Sequence, residues 1–409
     1  MLKKTIKAGV CLAVFSLPLY LIRFKISWIP FNLSEIIIYL VFLLWLADKL
    51  NGFWKSSFRI QKSDFQNHSP ALSMALPVFL IFAGTTLSTL FSSNIEVGAG
   101  IWKGWFLTPL FLFFILLDNL NNRGFFKWLV FSAVFSGAAV SLISLFGWWG
   151  DNLTYDGRLK GFYSSANYLA MYLSPILILS LSLFLFIKKR IYKLLLVAVV
   201  GLTATVIYLT YSYGAFLGLL AASVFLVFGG VKDKRNFNWA LFLFLFVVLF
   251  FVFQIQTDKF QEFLDLSYPS LKSRLAIWQS AGQILKDHPL IGIGPGMFQK
   301  YYLDYQSRFE PYPEWSAPQP HNIFLAFWLQ TGLIGLIGFI WLMADFFKKS
   351  CRRLSSNKKE IRFLGLILGS AMLCILVHGL IDATYWKNDL AAVFWLVTAI
   401  NYRADRLFG

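Results

Sequence analysis

Two polar residues stand where a long polar stretch meets an apolar one, in PQPHNIFLAFW. His321 could act as a general base, a common role of histidine, and Asn322 follows it directly. A polar pair after a proline is also typical of an ordinary helix start, and the sequence leaves both interpretations open. Arg274, in LKSRLAIWQSAGQILKD, could bind a phosphate with two hydrogen bonds, or could lie in solvent or against lipid headgroups.

A second pair of ionisable residues lies in a later apolar segment. His378 and Asp382 are four residues apart, which predicts that they share one face near the outer end of a helix. Ionisable groups inside a membrane are costly and usually face the bundle interior with a partner. The pair therefore predicts a functional or network role, either catalytic or in orienting other groups.

Several cations fall on the face of the protein that is predicted to be outside, where few are expected. They indicate an anionic substrate such as a lipid-linked phosphate, or else scattered surface charge. These cations are Lys103, Arg158, Lys160 and Lys387.

The elements that must position these residues follow from composition. Of the 409 residues, 58% are hydrophobic and 14% are charged, and the mean hydropathy is +0.64. Ordinary soluble domains are about a quarter charged, so a bilayer and not a soluble core must absorb this apolar surface. The net charge of +17 would indicate nucleic acid in a soluble chain. In a membrane protein it reflects basic cytoplasmic loops, and we expect no nucleic-acid partner.

Apolar runs long enough to cross about 30 Å of hydrocarbon occur about twelve times, and each must be a helix. We therefore predict an all-α polytopic membrane protein. The expected spans are 8–22, 34–48, 70–91, 99–117, 127–149, 163–187, 194–212, 214–230, 238–255, 321–347, 362–382 and 388–402.

Counting spans places the basic loops and both termini on one face, which the positive-inside rule predicts to be cytoplasmic. The basic N-terminal stretch lacks a signal-peptide cleavage pattern and is predicted to be the first span. The chain divides into residues 1–255 (about nine helices), an external loop at 256–320, and helices at 321–409. A cytoplasmic membrane is the expected location.

The external loop is predicted to contain an amphipathic helix that lies on the membrane or caps the bundle. Its apolar residues recur at helical spacing: Leu271, Leu275, Trp278, Ala281 and Leu285. The sequence GIGPG at 292–296 predicts a tight turn, and aromatic residues follow it.

Motifs for metal or nucleotide chemistry are missing from the sequence, including HExxH, a P-loop and Cys/His ligand spacing. Cys11, Cys351 and Cys374 form no disulfide or metal pattern. We expect no cofactor, so any transfer reaction must draw on an activated substrate.

Three runs resemble the O-antigen ligase and polymerase superfamily of bacterial membrane glycosyltransferases. They are SRLAIWQSAGQILKDHPLIGIGPGMFQKYY, PQPHNIFLAFWLQTGLIGLIGFIW and VHGLIDATYWKNDLAAVFWLV. The combination of Arg-x-x-x-Trp, Gly-x-Gly-x-Gly and His-Asn is specific. The resemblance is strong over residues 156–400 and weaker before them, as in LPLYLIRFKISWIPFNLSE. It implies a GT-C-like helical bundle with one long external loop.

The resemblance also implies a reaction. A glycan would move from an undecaprenyl-diphosphate carrier to a hydroxyl of a lipid- or glycan-linked acceptor, with inversion and without a metal. Arg274 matches the family arginine that contacts the diphosphate, and His321 matches the histidine thought to activate the acceptor. Asn322, His378 and Asp382 are expected to contribute to substrate binding.

One departure from the family pattern concerns a second arginine in a Ser-Arg-Gly-like motif. Here the sequence is TYSYGAF, with Tyr213 in place of that arginine. A tyrosine cannot supply the charge, so Arg158, Lys160 or Lys103 takes over, or the activity differs. Our hypothesis is compensation by Arg158. A lipid-linked oligosaccharide transporter and a non-catalytic envelope scaffold stay open as alternatives, and ligase, polymerase and protein O-oligosaccharyltransferase are not distinguished.

Overall fold

The computed structural model describes residues 2–27, 29–56, 69–147, 153–230, 269–309 and 316–408, with isolated positions between 241 and 252. Helices make up most of these ranges. They are α1 (Leu2–Phe15), α2 (Leu33–Ser56), α3 (Ser69–Leu90), α4 (Ile95–Asn119), α5 (Arg123–Phe146), α6 (Ala166–Ser180), α7 (Arg190–Leu209), α8 (Tyr213–Gly230), α9 (Pro269–Asp287), α10 (Phe298–Tyr305), α11 (Ile323–Leu354), α12 (Lys359–His378) and α13 (Asn388–Phe408).

Within the described ranges, six helices are long and apolar enough to cross a membrane. They are Ile95–Asn119, Arg123–Phe146, Ala166–Leu185, Arg190–Leu209, Ile323–Leu354 and Lys359–His378. The protein is thus an integral membrane protein built of helices, as the composition predicts. Of the other expected spans, helices cover 34–48, 70–91, 214–230 and 388–402 closely and 8–22 in part. The span 238–255 falls almost entirely outside the described residues. The full number of twelve spans stays a prediction, as does the division into three regions.

The first expected span, 8–22, is wrong at its outer end. Helix α1 ends at Phe15, and a 3₁₀ turn follows at Leu17–Leu21 with Pro18 near its start. The chain then forms a two-stranded antiparallel hairpin, β1 (Arg23–Ile26) and β2 (Ile29–Asn32). Proline lacks a backbone N–H and its ring clashes with the preceding turn, which favours the end of the α-helix here.

Glycines allow two pairs of helices to approach closely. Helices α3 and α11 cross where a side chain on Gly84 would collide with the backbone of Gly335 and Thr331. Helices α8 and α12 pack through Gly214 and Gly218, because a side chain on Gly218 would meet the carbonyl oxygen of Cys374. Small residues four apart are the usual means by which membrane helices pack without a gap.

Helix α9 has an apolar face, but that face differs from the predicted one. Ile277, Ala281 and Ile284 are fully buried against residues of the following turn and α10, whereas Leu275 is 49% exposed. Burying each isoleucine contributes about 1.5–3 kcal/mol, so this small core holds residues 269–309 together. The prediction for Leu275 is wrong because the partners of α9 lie on another segment, whose direction sequence spacing does not reveal.

Helix α11 is interrupted at Gly332, whose backbone has φ 68° and ψ 179°. The gap receives the turn that follows α9: the Leu333 N–H donates to the carbonyl of Leu290 (2.9 Å), and the Ile293 N–H donates to the carbonyl of Leu329 (2.7 Å). Only glycine adopts this backbone conformation without strain, and a side chain there would strike Leu290 and Ile291. The turn at 290–296 is therefore fixed to the N-terminal part of α11.

Candidate active site

Asp382 is the centre of a hydrogen-bonded cluster at the end of the bundle that is predicted to be outside. Its Oδ1 lies 2.9 Å from Nδ1 of His321, and its Oδ2 accepts a hydrogen bond from Nδ2 of Asn167 at 2.8 Å. The backbone N–H of Ala383 also donates to Oδ1, at 3.1 Å. The carboxylate is 4% exposed. One buried acceptor thus connects the link after α12 with the starts of α6 and α11.

The position of Asp382 corrects the prediction that it shares a helical face with His378. Helix α12 ends at His378 with Gly379 at its C-cap, so Asp382 lies in the link between α12 and α13. His378 is buried, and its ring packs against Gly214 at the start of α8. Glycine is required there, because a side chain would overlap the imidazole. His378 is close to the cluster but makes none of the hydrogen bonds described for it.

His321 is held in place through its backbone. Its φ is +46°, a left-handed conformation that is uncommon outside glycine and costs on the order of 1–3 kcal/mol. Nε1 of Trp278, on α9, donates to the carbonyl of Pro320 at 3.0 Å and lies 3.4 Å from that of His321. Two residues after His321, the backbone N–H of Ile323 donates to the carbonyl of Gly379 at 2.6 Å. Hydrogen bonds before and after His321 thus hold its backbone in this strained conformation, which is typical of functional sites.

Asn322 has the helix-start role that was one of the two interpretations of the His321–Asn322 pair. Its Oδ1 accepts from the N–H groups of Phe324 and Leu325, and its Nδ2 donates to the carbonyl of Leu380. Both ends of the amide are therefore engaged within the protein, in contrast to the prediction of substrate binding. The helix-start role of Asn322 leaves the His321 side chain, 29% exposed, to face Asp382.

Arg274 reaches the same cluster from α9. Its Nε donates to the carbonyl of Ile381 at 2.6 Å, and its Nη2 lies 3.7 Å from Oδ2 of Asp382. The side chain is 15% exposed. The guanidinium and the His321 imidazole are therefore on either side of one carboxylate, although 46 residues separate them in the chain.

The charges around Asp382 determine its ionisation. Burial alone raises the pKa of this carboxyl group. The His321 imidazole, through its charge and its hydrogen bond, and then the Arg274 guanidinium outweigh that effect and hold the pKa of Asp382 below its ordinary value. Asp382 is therefore an anion at neutral pH, and it can accept the Nδ1–H of His321.

Arg158 extends the cluster toward the stretch in which Tyr213 replaces the family arginine. Its Nε donates to the carbonyl of Thr210 at 2.8 Å, and its Nη2 donates to Oδ1 of Asn167. Asn167 in turn donates to Asp382. Tyr213 begins α8, three residues after Thr210. A cation is thus connected through one amide to the central carboxylate.

Two other predicted cations lie apart from these contacts. Lys160 lines a groove beside Arg158 and Asn167. Lys103 is paired with Glu35 at 2.8 Å, donates to the carbonyl of Pro30 and lies over the ring of Phe31. Its charge is neutralised within the protein, so the expectation that Lys103 offers its charge to a substrate is not supported.

Two residues of the cluster were not predicted from the sequence. Asn167 gave no signal beyond its place in SSAN at a helix start, which is common for asparagine. Trp278 was identified only as an apolar position on the loop helix, yet its indole N–H supports the backbone at His321. An Arg-x-x-x-Trp pair on one helical face was the available signal for it.

Comparison with known families gives one match, and comparison with curated proteins gives none. Residues 198–340 match the sequence model of a family described as O-antigen ligase. No curated protein matches the chain. The matched stretch contains Tyr213, Arg274 and His321, whereas Arg158, Asn167 and Asp382 lie outside it. The resemblance to the O-antigen ligase and polymerase superfamily is thereby confirmed, and it is carried by residues 198–340.

Proposed function

We propose that this protein is a glycosyltransferase that moves a glycan from undecaprenyl diphosphate to an acceptor hydroxyl at the outer face of the bacterial cytoplasmic membrane. The observation that carries the proposal is the His321–Asp382–Arg274 cluster. It joins a general base, the carboxylate that orients that base, and a cation suited to a phosphate. The O-antigen ligase match supports a lipid-linked glycan as substrate.

His321 acts as the base. The Asp382 carboxylate accepts the Nδ1–H, which fixes the tautomer and leaves Nε2 able to accept a proton. Nε2 takes the proton of the acceptor hydroxyl as its oxygen attacks the anomeric carbon. The bond from that carbon to the phosphate oxygen breaks, its electron pair stays on the diphosphate, and the configuration inverts.

Arg274 stabilises the leaving group. Its guanidinium is held by Ile381 and Asp382, so it is oriented before the diphosphate arrives. Arg158 supplies the second positive charge in place of the arginine that Tyr213 replaces. These cations perform the charge stabilisation that a metal performs in other transferases, and we propose a metal-independent reaction.

Transfer by purified protein tests this proposal. The protein in nanodiscs is mixed with an undecaprenyl-diphosphate glycan and an acceptor, and the new glycosidic bond is measured by mass spectrometry. We expect product from wild type and almost none from His321→Ala or Arg274→Ala. His288→Ala and Arg308→Ala are matched controls, because His288 contacts the Tyr301 ring and Arg308 pairs with Asp287 on the surface.

Other outcomes would favour the alternatives. Glycan that crosses vesicles without new glycosidic bonds would indicate a transporter. Absence of both product and transport would favour a scaffold, which the Tyr213 departure keeps open. Within the transferase class, the acceptor that is used separates ligase, polymerase and protein O-oligosaccharyltransferase. Undiminished transfer by Arg158→Ala would refute the compensation by Arg158.

A further inference from the structure

A groove of about 400 Å³ lies beside the cluster. It is formed by the loop before α6 and the first turn of that helix. The lining residues that matter here are Thr154, Tyr155, Asp156, Arg158, Lys160 and Asn167. Its volume is within the range of small-molecule sites, and its lining combines hydroxyl, amide and charged groups with one aromatic ring.

The groove shares two residues with the cluster. Asn167 and Arg158 line it, and Asn167 donates through Nδ2 to Asp382. Asp382 also contacts the His321 imidazole. A molecule in the groove is therefore connected to the proposed base through one amide and one carboxylate.

The charges in the groove differ in their availability to a ligand. Arg158 donates to Thr210 and Asn167 within the protein, and Oδ1 of Asp156 accepts from the Thr154 hydroxyl. The structure gives no hydrogen bond or ion pair to the Lys160 ammonium from any described residue. The ring of Tyr155 is fully exposed beside it. The groove thus offers one ammonium, several hydrogen-bonding groups and a flat apolar surface.

We propose that this groove binds an acidic sugar of the transferred or accepting glycan, with Lys160 contacting the carboxylate of that sugar. A pyranose ring has hydroxyls for the polar groups and an apolar face for Tyr155. The assignment deepens the proposed function and rests on it for the identity of the substrate as a glycan.

A sugar suits the groove better than the carrier diphosphate does. Because the charge of Arg158 is assigned to the leaving group, Lys160 is the cation among the described lining residues that a sugar can use. One ammonium matches one carboxylate, whereas a diphosphate carries more negative charge and favours a guanidinium that can bind two oxygens. Arg274, on the other side of Asp382, has that character.

Binding to carrier-free glycans tests the groove without requiring turnover. Protein in nanodiscs is applied to an array of neutral and uronate-bearing oligosaccharides. We expect wild type and His321→Ala to retain the uronate-bearing set, and Lys160→Gln to weaken that retention about tenfold. Lys300→Gln, an exposed lysine on α10, is the matched control and should bind like wild type.

The opposite results would overturn the proposal. These are no retention by wild type, retention of neutral glycans alone, or equal retention by Lys160→Gln and Lys300→Gln. Binding of inorganic pyrophosphate that depends on Lys160, without glycan retention, would also overturn it and indicate a phosphate site. Retention without any transfer by wild type would leave the groove in place and remove the proposed function.

Transfer kinetics then identify which glycan occupies the groove. In Lys160→Gln we expect KM to rise about tenfold for one substrate while kcat changes little. A rise for the donor assigns the groove to the transferred glycan, and a rise for the acceptor assigns it to the accepting one. Unchanged KM values for both substrates would contradict the assignment.

Discussion

The two ends of the bundle each contain a cluster of charged side chains, and the clusters differ in how completely their groups are paired. At the end predicted to be cytoplasmic, Arg353 is 2% exposed and makes bonds with Asp405 and Asn401 through all three guanidinium nitrogens. At the outer end, His321 contacts Asp382 through Nδ1 alone, and its backbone is left-handed. Complete pairing is typical of structural charges, whereas strain and spare bonding capacity are typical of a reactive site.

The largest effect should come from His321→Ala. Removing a general base costs about a hundredfold to ten-thousandfold in rate. The protein should still fold, because the buried Asp382 keeps its hydrogen bonds from Asn167 and from the Ala383 N–H. Turnover of the lipid-linked donor and the melting temperature are measured together. Activity within tenfold of wild type would mean that the outer cluster is structural, as the inner one is.

A smaller loss of rate is expected from Asp382→Asn, about a hundredfold, which is the lower end of the range for general-base catalysis. The new amide can donate to Nδ1, which favours the tautomer that carries its proton on Nε2 and so blocks the base. Asp382→Glu is the companion variant, because it keeps the charge. Equal rates for wild type and Asp382→Asn would separate Asp382 from the chemistry.

The same carboxylate predicts a pH dependence of stability. The pKa of Asp382 is lower in the folded protein than in the unfolded chain, so only the unfolded chain binds a proton at pH values between the two. The contribution of the Asp382 carboxylate to the free energy of unfolding is complete above about pH 4, the ordinary aspartate pKa. It is lost as pH falls toward the folded-state pKa. Between pH 6 and pH 3, the free energy of unfolding should fall less in Asp382→Asn than in wild type. Identical pH profiles for the two proteins would contradict a lowered pKa of Asp382.

At the inner cluster, Arg353→Ala should lower the free energy of unfolding by about 2 kcal/mol, because the buried Asn401 and the half-exposed Asp405 lose their donor. Turnover per folded molecule should be unchanged, which is the reverse of the His321 result. Stability is measured by denaturant titration in nanodiscs. A specific loss of turnover would show that the inner cluster contributes to function.

The smallest effect should come from Trp278→Phe, which keeps the ring and removes the hydrogen bond to Pro320. One such bond contributes about 1 kcal/mol, so we expect roughly a fivefold loss in kcat with little change in KM. Trp341→Phe, a partly exposed tryptophan on α11, is the control. Equal rates for both variants would mean that the backbone at His321 does not need this support.

The sequence predicted the members of the outer cluster more readily than their contacts. His321, Arg274 and Asp382 stand out because polar residues beside apolar runs are few. The helices could be predicted from the lengths of the apolar runs, because run length is a local property of the sequence. The contact between His321 and Asp382 joins residues 61 positions apart, and local pattern says nothing about such a pairing. Glu35, the partner of Lys103, was missed for the same reason, at a separation of 68 residues.

The interruption of α11 at Gly332 divides the helix, and His321 precedes the shorter of the two pieces. The short outer piece of the helix, Ile323–Thr331, is tied to Gly379 at one end and to the external turn at the other. The longer piece packs closely on α3 at Gly335 and Gly338. The backbone at His321 is therefore fixed by its bonds to the α12–α13 link and to α9, and not by the long part of a membrane helix.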